Sequence, residues 1–105
     1  MDPKTAYARR DDVVFLDVRE PDEWQAGHIE GALHIPMGQL NQRIDELDAE
    51  REFVAVCRSG NRSGAVTEAM KRAGYEVENL DGGMQAWSRD GLPFVADGGG
   101  DPRVA

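Results

Sequence analysis

The only cysteine in the chain stands at a position suited to nucleophilic chemistry. Cys57 follows the apolar residues 53–56 and precedes a polar, basic, glycine-containing stretch, residues 58–63. Where a strand ends and a helix begins, backbone N–H groups and the positive helix end stabilise an anion. A lone cysteine is more often a small buried hydrophobe. This position instead predicts an activated thiolate with a pKa below that of a free thiol.

Basic side chains cluster after the cysteine in the sequence. Residues 57–72 hold four basic residues and one acid, a local charge of +3, whereas the remaining eight basic and nineteen acidic residues give −11. A basic neighbourhood favours a thiolate and attracts anions. Gly60 gives the loop freedom to curl. Arg62, at the far end of the loop, is predicted to fold back onto the loop or onto a substrate anion.

Alternating strands and helices are predicted to position this loop. Apolar runs rich in strand-forming residues, or runs that alternate apolar and polar positions, predict strands at residues 13–16, 32–35, 53–56 and 75–80. Helical spacing or capping residues predict helices at 21–26, 37–47, 62–73 and 81–90, the last capped by Asp81. This order indicates an α/β fold with a doubly wound, mostly parallel sheet flanked by helices. Ligands of such sheets bind at the carboxyl ends of the strands, where Cys57 is placed.

Length and composition limit the class of protein. The chain has 105 residues, 40% of them hydrophobic and 30% charged, with a net charge of −8. These values predict one domain over residues 1–96, followed by a flexible glycine-rich tail at 97–105. The acidic balance argues against nucleic acid and membrane partners. A single cysteine and no apolar leader favour a reducing, cytoplasmic location.

Other polar residues have plainer interpretations. Asp17 and Arg19 end the first strand on the side of Cys57, and we expect a buried ion pair that supports the site without taking part in the chemistry. His28 and His34 have no acid or cysteine at a metal-ligand spacing, so we expect no metal and no cofactor. Trp24 and the apolar side chains of residues 37–47 are expected in the core.

Four motifs in order resemble the rhodanese family of sulfurtransferases over about residues 6–94. The loop motif contains Cys57, Arg58, Ser59, Gly60, Asn61, Arg62 and Ser63. The other motifs are residues 16–20, 27–32 and 80–87, with 91–93 similar to the usual ending. In place of the first strand and helix of the family there is only a short segment at residues 4–10.

The resemblance implies a single-domain sulfurtransferase with Cys57 as the catalytic nucleophile. The thiolate would take sulfur from a small anionic donor such as thiosulfate and pass it, as a persulfide, to cyanide or a thiol. Residues 58–63 would form the persulfide-binding loop, with Arg58 assisting a sulfonate-bearing donor.

Three alternatives remain open at this point. One is a relay or binding module that works with a partner protein of a sulfur relay. The others are a cysteine-dependent phosphatase and an arsenate reductase. Related phosphatases resemble a Cys-x5-Arg loop, whereas Cys57 and Arg62 are spaced as Cys-x4-Arg. The shorter loop and the lack of a general acid in it disfavour phosphate chemistry.

Overall fold

The computed structural model describes residues 1–105 as a four-stranded parallel sheet covered by helices on both faces. The strands lie in the order β2-β1-β3-β4. The helices and strands are α1 Pro3–Ala8, β1 Val14–Asp17, α2 Pro21–Ala26, β2 Leu33–His34, α3 Leu40–Arg43, β3 Glu52–Val56, α4 Asn61–Arg72, β4 Glu76–Asn79 and α5 Gly83–Arg89. The predicted α/β class and parallel sheet are therefore confirmed.

Side chains that alternate along the central strands build two separate cores. On one face, Leu16 and Ala55 pack with residues of α4 such as Met70. On the other face, Phe15 and Val54 pack with residues from α1 and α5. Full burial of each large apolar side chain contributes roughly 1.5–3 kcal/mol. Because both faces are covered, the central strands are nearly continuous apolar runs.

The segment at 37–47 does not form the single amphipathic helix predicted from its spacing. Short 3₁₀ turns, Met37–Gln39 and Ile44–Glu46, flank the four-residue α3. Leu40 and Leu47 are buried as expected, whereas Met37 is 45% exposed. Gly38 lowers helix propensity within an already short segment, so tertiary packing of two leucines decides its shape.

The start of α5 also differs from the prediction. Gly82, with φ +74°, is the residue before the helix, and no side chain caps it. Asp81 is one residue too early to cap α5, and its backbone N–H donates to the carbonyl of Met1.

The short amino-terminal segment forms helix α1, in which Asp2 is the cap and its side chain accepts a hydrogen bond from the Thr5 N–H.

The last residues contact the body of the domain. The N–H of Arg103 donates to the carbonyl of Ala26 at 2.9 Å, and Val104 packs against the core that holds Trp87. Composition alone did not predict these contacts, and the flexibility of residues 97–105 stays a prediction. None of the helices is both long enough and apolar enough to span a membrane.

Candidate active site around Cys57

The sulfur of Cys57 lies at the carboxyl end of β3, beneath the loop that leads into α4. The residue is only 1% exposed. Its Sγ accepts a hydrogen bond from the Gly60 N–H at 3.0 Å and lies 3.2 Å from the Ser63 Oγ. The strand end, the loop and the first turn of the helix thus place hydrogen-bond donors around one sulfur atom.

The first turn of α5 holds the outer side of this loop. The N–H groups of Met84 and Gln85 donate to the carbonyls of Cys57 and Arg58, at 2.8 and 3.0 Å. Gly83, with φ +58°, lies so close that an added Cβ would stand 2.5 Å from the Cys57 carbonyl oxygen. These hydrogen bonds hold the backbone of Cys57 and Arg58 against α5. A glycine is required at position 83 by both backbone conformation and space.

The pKa of the Cys57 thiol is set by two opposing effects. Burial is the largest and raises the pKa. Hydrogen bonds from the Ser63 hydroxyl and from the N–H groups of Ser63, Gly60 and Ser59 lower it. Together they outweigh burial, so the pKa lies below its ordinary value of 9.0. This direction agrees with the sequence-based expectation, and it favours the nucleophilic form of the sulfur.

The Arg62 side chain does not fold back onto the loop, in contrast to the prediction from the sequence that it contacts the loop or a substrate anion. Its guanidinium makes two hydrogen bonds to the Glu23 carboxylate of α2, at 2.7 and 2.8 Å. This pair joins the start of α4 to α2 across 39 residues of sequence. Nothing in the spacing of the sequence indicated it, because the two helices meet only through the fold.

The Glu23–Arg62 pair predicts a pH-dependent contribution to stability. Its hydrogen bonds lower the pKa of Glu23 from 4.5 to about 2. The pair therefore stabilises the fold above pH 4.5, and that contribution is lost as the pH falls toward 2. We expect Glu23→Gln to lower the free energy of unfolding by about 1 kcal/mol at pH 7, as measured by urea titration.

The control for this prediction is Glu68→Gln, an exposed acid of α4 without an ion-pair partner. The difference between Glu23→Gln and the parent protein should shrink steadily below pH 4.5. A difference that stayed constant through acid would contradict the ion-pair interpretation.

The basic cluster seen in the sequence is dispersed in the fold. Lys71 and Arg72 lie at the last turn of α4, about 18 Å along the helix from the loop. Arg62 is paired with Glu23, whereas Arg58, the residue after Cys57 in the sequence, has no side-chain carboxylate partner. Arg58 is exposed, and its Nε donates to the carbonyl oxygen of Ala105 at 3.0 Å. Ser59 and Asn61 are also exposed on the outside of the loop.

Asp17 and Arg19 form a buried ion pair at the end of β1. Both residues are at most 1% exposed, and the Arg19 Nη2 lies 2.8 Å from the Asp17 carboxylate. Arg19 also donates to the carbonyls of Gly27 and Glu23, at 2.7 and 3.3 Å. The pair therefore fixes α2, which in turn presents Glu23 to the start of α4. Neither group contacts the sulfur.

The two histidines hold an aromatic stack. The Trp24 ring lies between His28 and His34, with ring centroids 3.7 and 4.6 Å apart. The His28 Nδ1 lies 2.8 Å from the Trp24 carbonyl, and the His34 Nε2 lies 2.8 Å from the Arg19 carbonyl. Trp24 is half-buried and belongs to neither core, which corrects the expectation that it lies in the core.

Asn79 is the residue of the site that the sequence did not reveal. It ends β4, beside β3, and its Nδ2 donates to the Gly60 carbonyl at 3.0 Å. Its Oδ1 accepts from the Ser63 hydroxyl at 2.5 Å. The signal that could have identified Asn79 was its place near the end of a predicted strand, because the carboxyl ends of neighbouring parallel strands meet at one edge of the sheet.

The largest cavity of the molecule lies away from this site. Its volume is about 810 Å³, and it is lined by residues at the start of β1, by Arg51 before β3 and by Trp87. It therefore opens at the amino ends of the strands, opposite Cys57. The loop around the sulfur lines neither this cavity nor the smaller one beside α3 and α4.

Comparisons with known proteins give the class to which this fold and loop belong. A family model described as "Rhodanese-like domain" matches residues 2–90. The chain belongs to this family, and it carries the family's cysteine loop on a parallel sheet.

Its relatives include proteins named for sulfur transfer. A "Sulfurtransferase" of Allochromatium vinosum is 42% identical over 93 residues, which cover 88% of this chain and 87% of that protein. The "Putative sulfur carrier protein YrkF" of Bacillus subtilis is 40% identical over 70% of this chain and 40% of its own length. The crystal structure of a rhodanese-related protein from Thermoplasma volcanium superposes with a TM-score of 0.90 at 30% identity, covering 92% of this chain and 97% of that one.

Proposed function

We propose that the protein is a thiosulfate-type sulfurtransferase that carries sulfane sulfur as a persulfide on Cys57. The observation that supports this most is the environment of the Cys57 Sγ, which faces the Gly60 N–H at 3.0 Å and the Ser63 Oγ at 3.2 Å. Such donors stabilise the thiolate, which is the form of the cysteine that attacks a sulfur donor.

The proposed reaction has two balanced steps. The Cys57 thiolate attacks the outer sulfur of thiosulfate, a new S–S bond forms, and the S–S bond of the donor breaks with its electron pair leaving on sulfite. Cyanide or a thiolate then attacks the outer sulfur of the persulfide, and the Cys57 thiolate is released. Neither step requires a cofactor or a metal, and a free thiol of this kind suits a reducing, cytoplasmic compartment.

Phosphate chemistry is disfavoured by the placement of Arg62. An arginine that binds a phosphate must direct its guanidinium at the oxygens in the loop. Here the Nη1 and Nη2 groups of Arg62 are directed at the Glu23 carboxylate instead, at 2.7 and 2.8 Å. A phosphatase or arsenate reductase is therefore the lesser proposal.

A sulfur-relay role, with a protein as donor or acceptor, is the second candidate. The sulfur is buried and no cavity opens onto it, so a donor or acceptor must approach the loop from its exposed rim. The relative named as a sulfur carrier fits this proposal.

Initial-rate kinetics with thiosulfate and cyanide test the first proposal. A covalent carrier gives parallel double-reciprocal lines, because sulfite leaves before cyanide reacts. Intersecting lines would contradict the two-step mechanism. Turnover seen only with a protein persulfide as donor would support the sulfur-relay role.

Arg58→Ala tests the proposed role of Arg58, the exposed cation that follows Cys57 in the sequence. We expect kcat/KM for thiosulfate to fall about 10-fold, which corresponds to one charge-assisted hydrogen bond of roughly 1.4 kcal/mol. Reaction with an uncharged persulfide donor should change far less. The matched control is Arg72→Ala at the other end of α4. An equal loss with both donors would remove the anion-binding role from Arg58.

A further inference from the structure

The Ser63 hydroxyl faces two acceptors and has one hydrogen to donate. Its Oγ lies 3.2 Å from the Cys57 Sγ and 2.5 Å from the Asn79 Oδ1. Ser63 is completely buried, so the hydroxyl has these partners in place of bulk water. A hydroxyl donates one hydrogen bond at a time. The sulfur and the amide oxygen therefore compete for it.

The orientation of the Asn79 amide is fixed by a second contact. Its Nδ2 lies 3.0 Å from the Gly60 carbonyl oxygen and donates to it. If the amide were reversed, two oxygen atoms would face each other at that distance without a hydrogen between them. The Oδ1 must therefore point at Ser63, where it is an acceptor and has no hydrogen to offer.

Charge on the inner sulfur decides which acceptor receives the hydrogen. A thiolate is a charged acceptor, and hydrogen bonds to charged groups are about twice as strong as neutral ones. A neutral thiol, or the inner sulfur of a persulfide, is a weak acceptor compared with an amide oxygen. The hydroxyl thus turns toward Cys57 when the thiolate forms. It returns to Asn79 when the negative charge moves to the outer sulfur.

We propose that Asn79 is a positioning residue that competes with the Cys57 thiolate for the Ser63 hydroxyl and thereby favours the persulfide over the free thiolate. The competition itself follows from the contacts around Ser63, whereas the persulfide part rests on the proposed function. Asn79 makes no contact with the transferred sulfur and acts through Ser63.

The first test is the pH dependence of Cys57 alkylation by iodoacetamide. In Asn79→Ala the hydroxyl has only the sulfur as acceptor, so the midpoint should move down by about 0.5–1 pH unit, the equivalent of one hydrogen bond. Ser63→Ala should move it up, because the thiolate loses a donor. Asn79→Ser, whose side chain is too short to reach Ser63, should behave as Asn79→Ala does. This second variant keeps the test valid if one of the two proteins does not fold.

A purely structural role for Asn79 predicts a shift of the alkylation midpoint in the opposite direction. Loss of its bond to Gly60 would loosen the loop and move the midpoint up, in the presence or absence of the Ser63 hydroxyl. We expect the downward shift to disappear when Asn79→Ala is combined with Ser63→Ala. Asn41→Ala, an exposed asparagine on α3, is the matched control and should leave the midpoint unchanged. An upward or absent shift in Asn79→Ala would overturn the proposal.

The second test separates this inference from the proposed function. At a pH above the alkylation midpoint and a fixed ratio of thiosulfate to sulfite, Asn79→Ala should carry persulfide at a ratio to unmodified thiolate about 3- to 10-fold lower than the parent protein. Persulfide in the parent protein without this decrease would overturn the inference alone. A shifted alkylation midpoint without any persulfide would overturn the proposed function and leave the competition for Ser63 standing.

Discussion

Cys57→Ser is expected to abolish sulfur transfer while the fold persists. A serine hydroxyl keeps the shape of the residue and the hydrogen bonds to Gly60 and Ser63. It does not ionise near neutral pH and forms no persulfide, so turnover should fall by at least about 1,000-fold. Thiocyanate production from thiosulfate and cyanide measures the loss.

The stability of this variant separates chemistry from folding. Because the substitution is nearly isosteric, we expect the free energy of unfolding to change by about 1 kcal/mol or less. Ser88→Ala, at an exposed position of α5, is the control and should keep full turnover. Substantial activity in a folded Cys57→Ser protein would show that another group carries the sulfur.

Asp17→Asn is expected to cause the largest loss of stability among these variants. The Arg19 guanidinium is fully buried, and its charge is balanced by the Asp17 carboxylate at 2.8 Å. Removal of one partner of a buried pair leaves an uncompensated charge and costs about 3–5 kcal/mol. Urea unfolding measures this directly, with Asp48→Asn as an exposed control.

A double variant checks the cause of this loss. In Asp17→Leu with Arg19→Met no buried charge remains, so part of the stability should return, although the Gly27 and Glu23 carbonyls lose their donor. If Asp17→Asn cost less than about 1 kcal/mol, the pair would not anchor α2 as described. A fully folded Asp17→Asn protein without sulfur transfer would instead give Asp17 a part in the chemistry.

Local signals in the sequence were sufficient for the order of the four strands and of the helices that follow them, whereas α1 Pro3–Ala8 was not predicted. Apolar runs on both faces of a parallel sheet leave a clear pattern, as at residues 53–56, where β3 was found. The pattern at 37–47 was misleading because four apolar residues at helical spacing also fit a chain of short turns. There the outcome depends on which side chains the sheet can cover, and Met37 remains exposed.

The candidate site was predictable where it is contiguous in sequence and hidden where it is not. Cys57 and its loop lie between a strand and a helix, and their residue types indicate an anion-stabilising turn. Asn79, Glu23 and Gly83 reach that loop only after the strands and helices have assembled. Their contacts are long-range in sequence, and a single sequence carries no periodic signal for them.

The intact mass of the protein after incubation with thiosulfate tests the central claim most directly. A persulfide on Cys57 predicts a gain of about 32 Da, one sulfur atom, that disappears on addition of cyanide. The gain should be absent in Cys57→Ser. A protein that gains no sulfur from thiosulfate or from a protein persulfide, or that gains it equally without Cys57, would contradict the assignment.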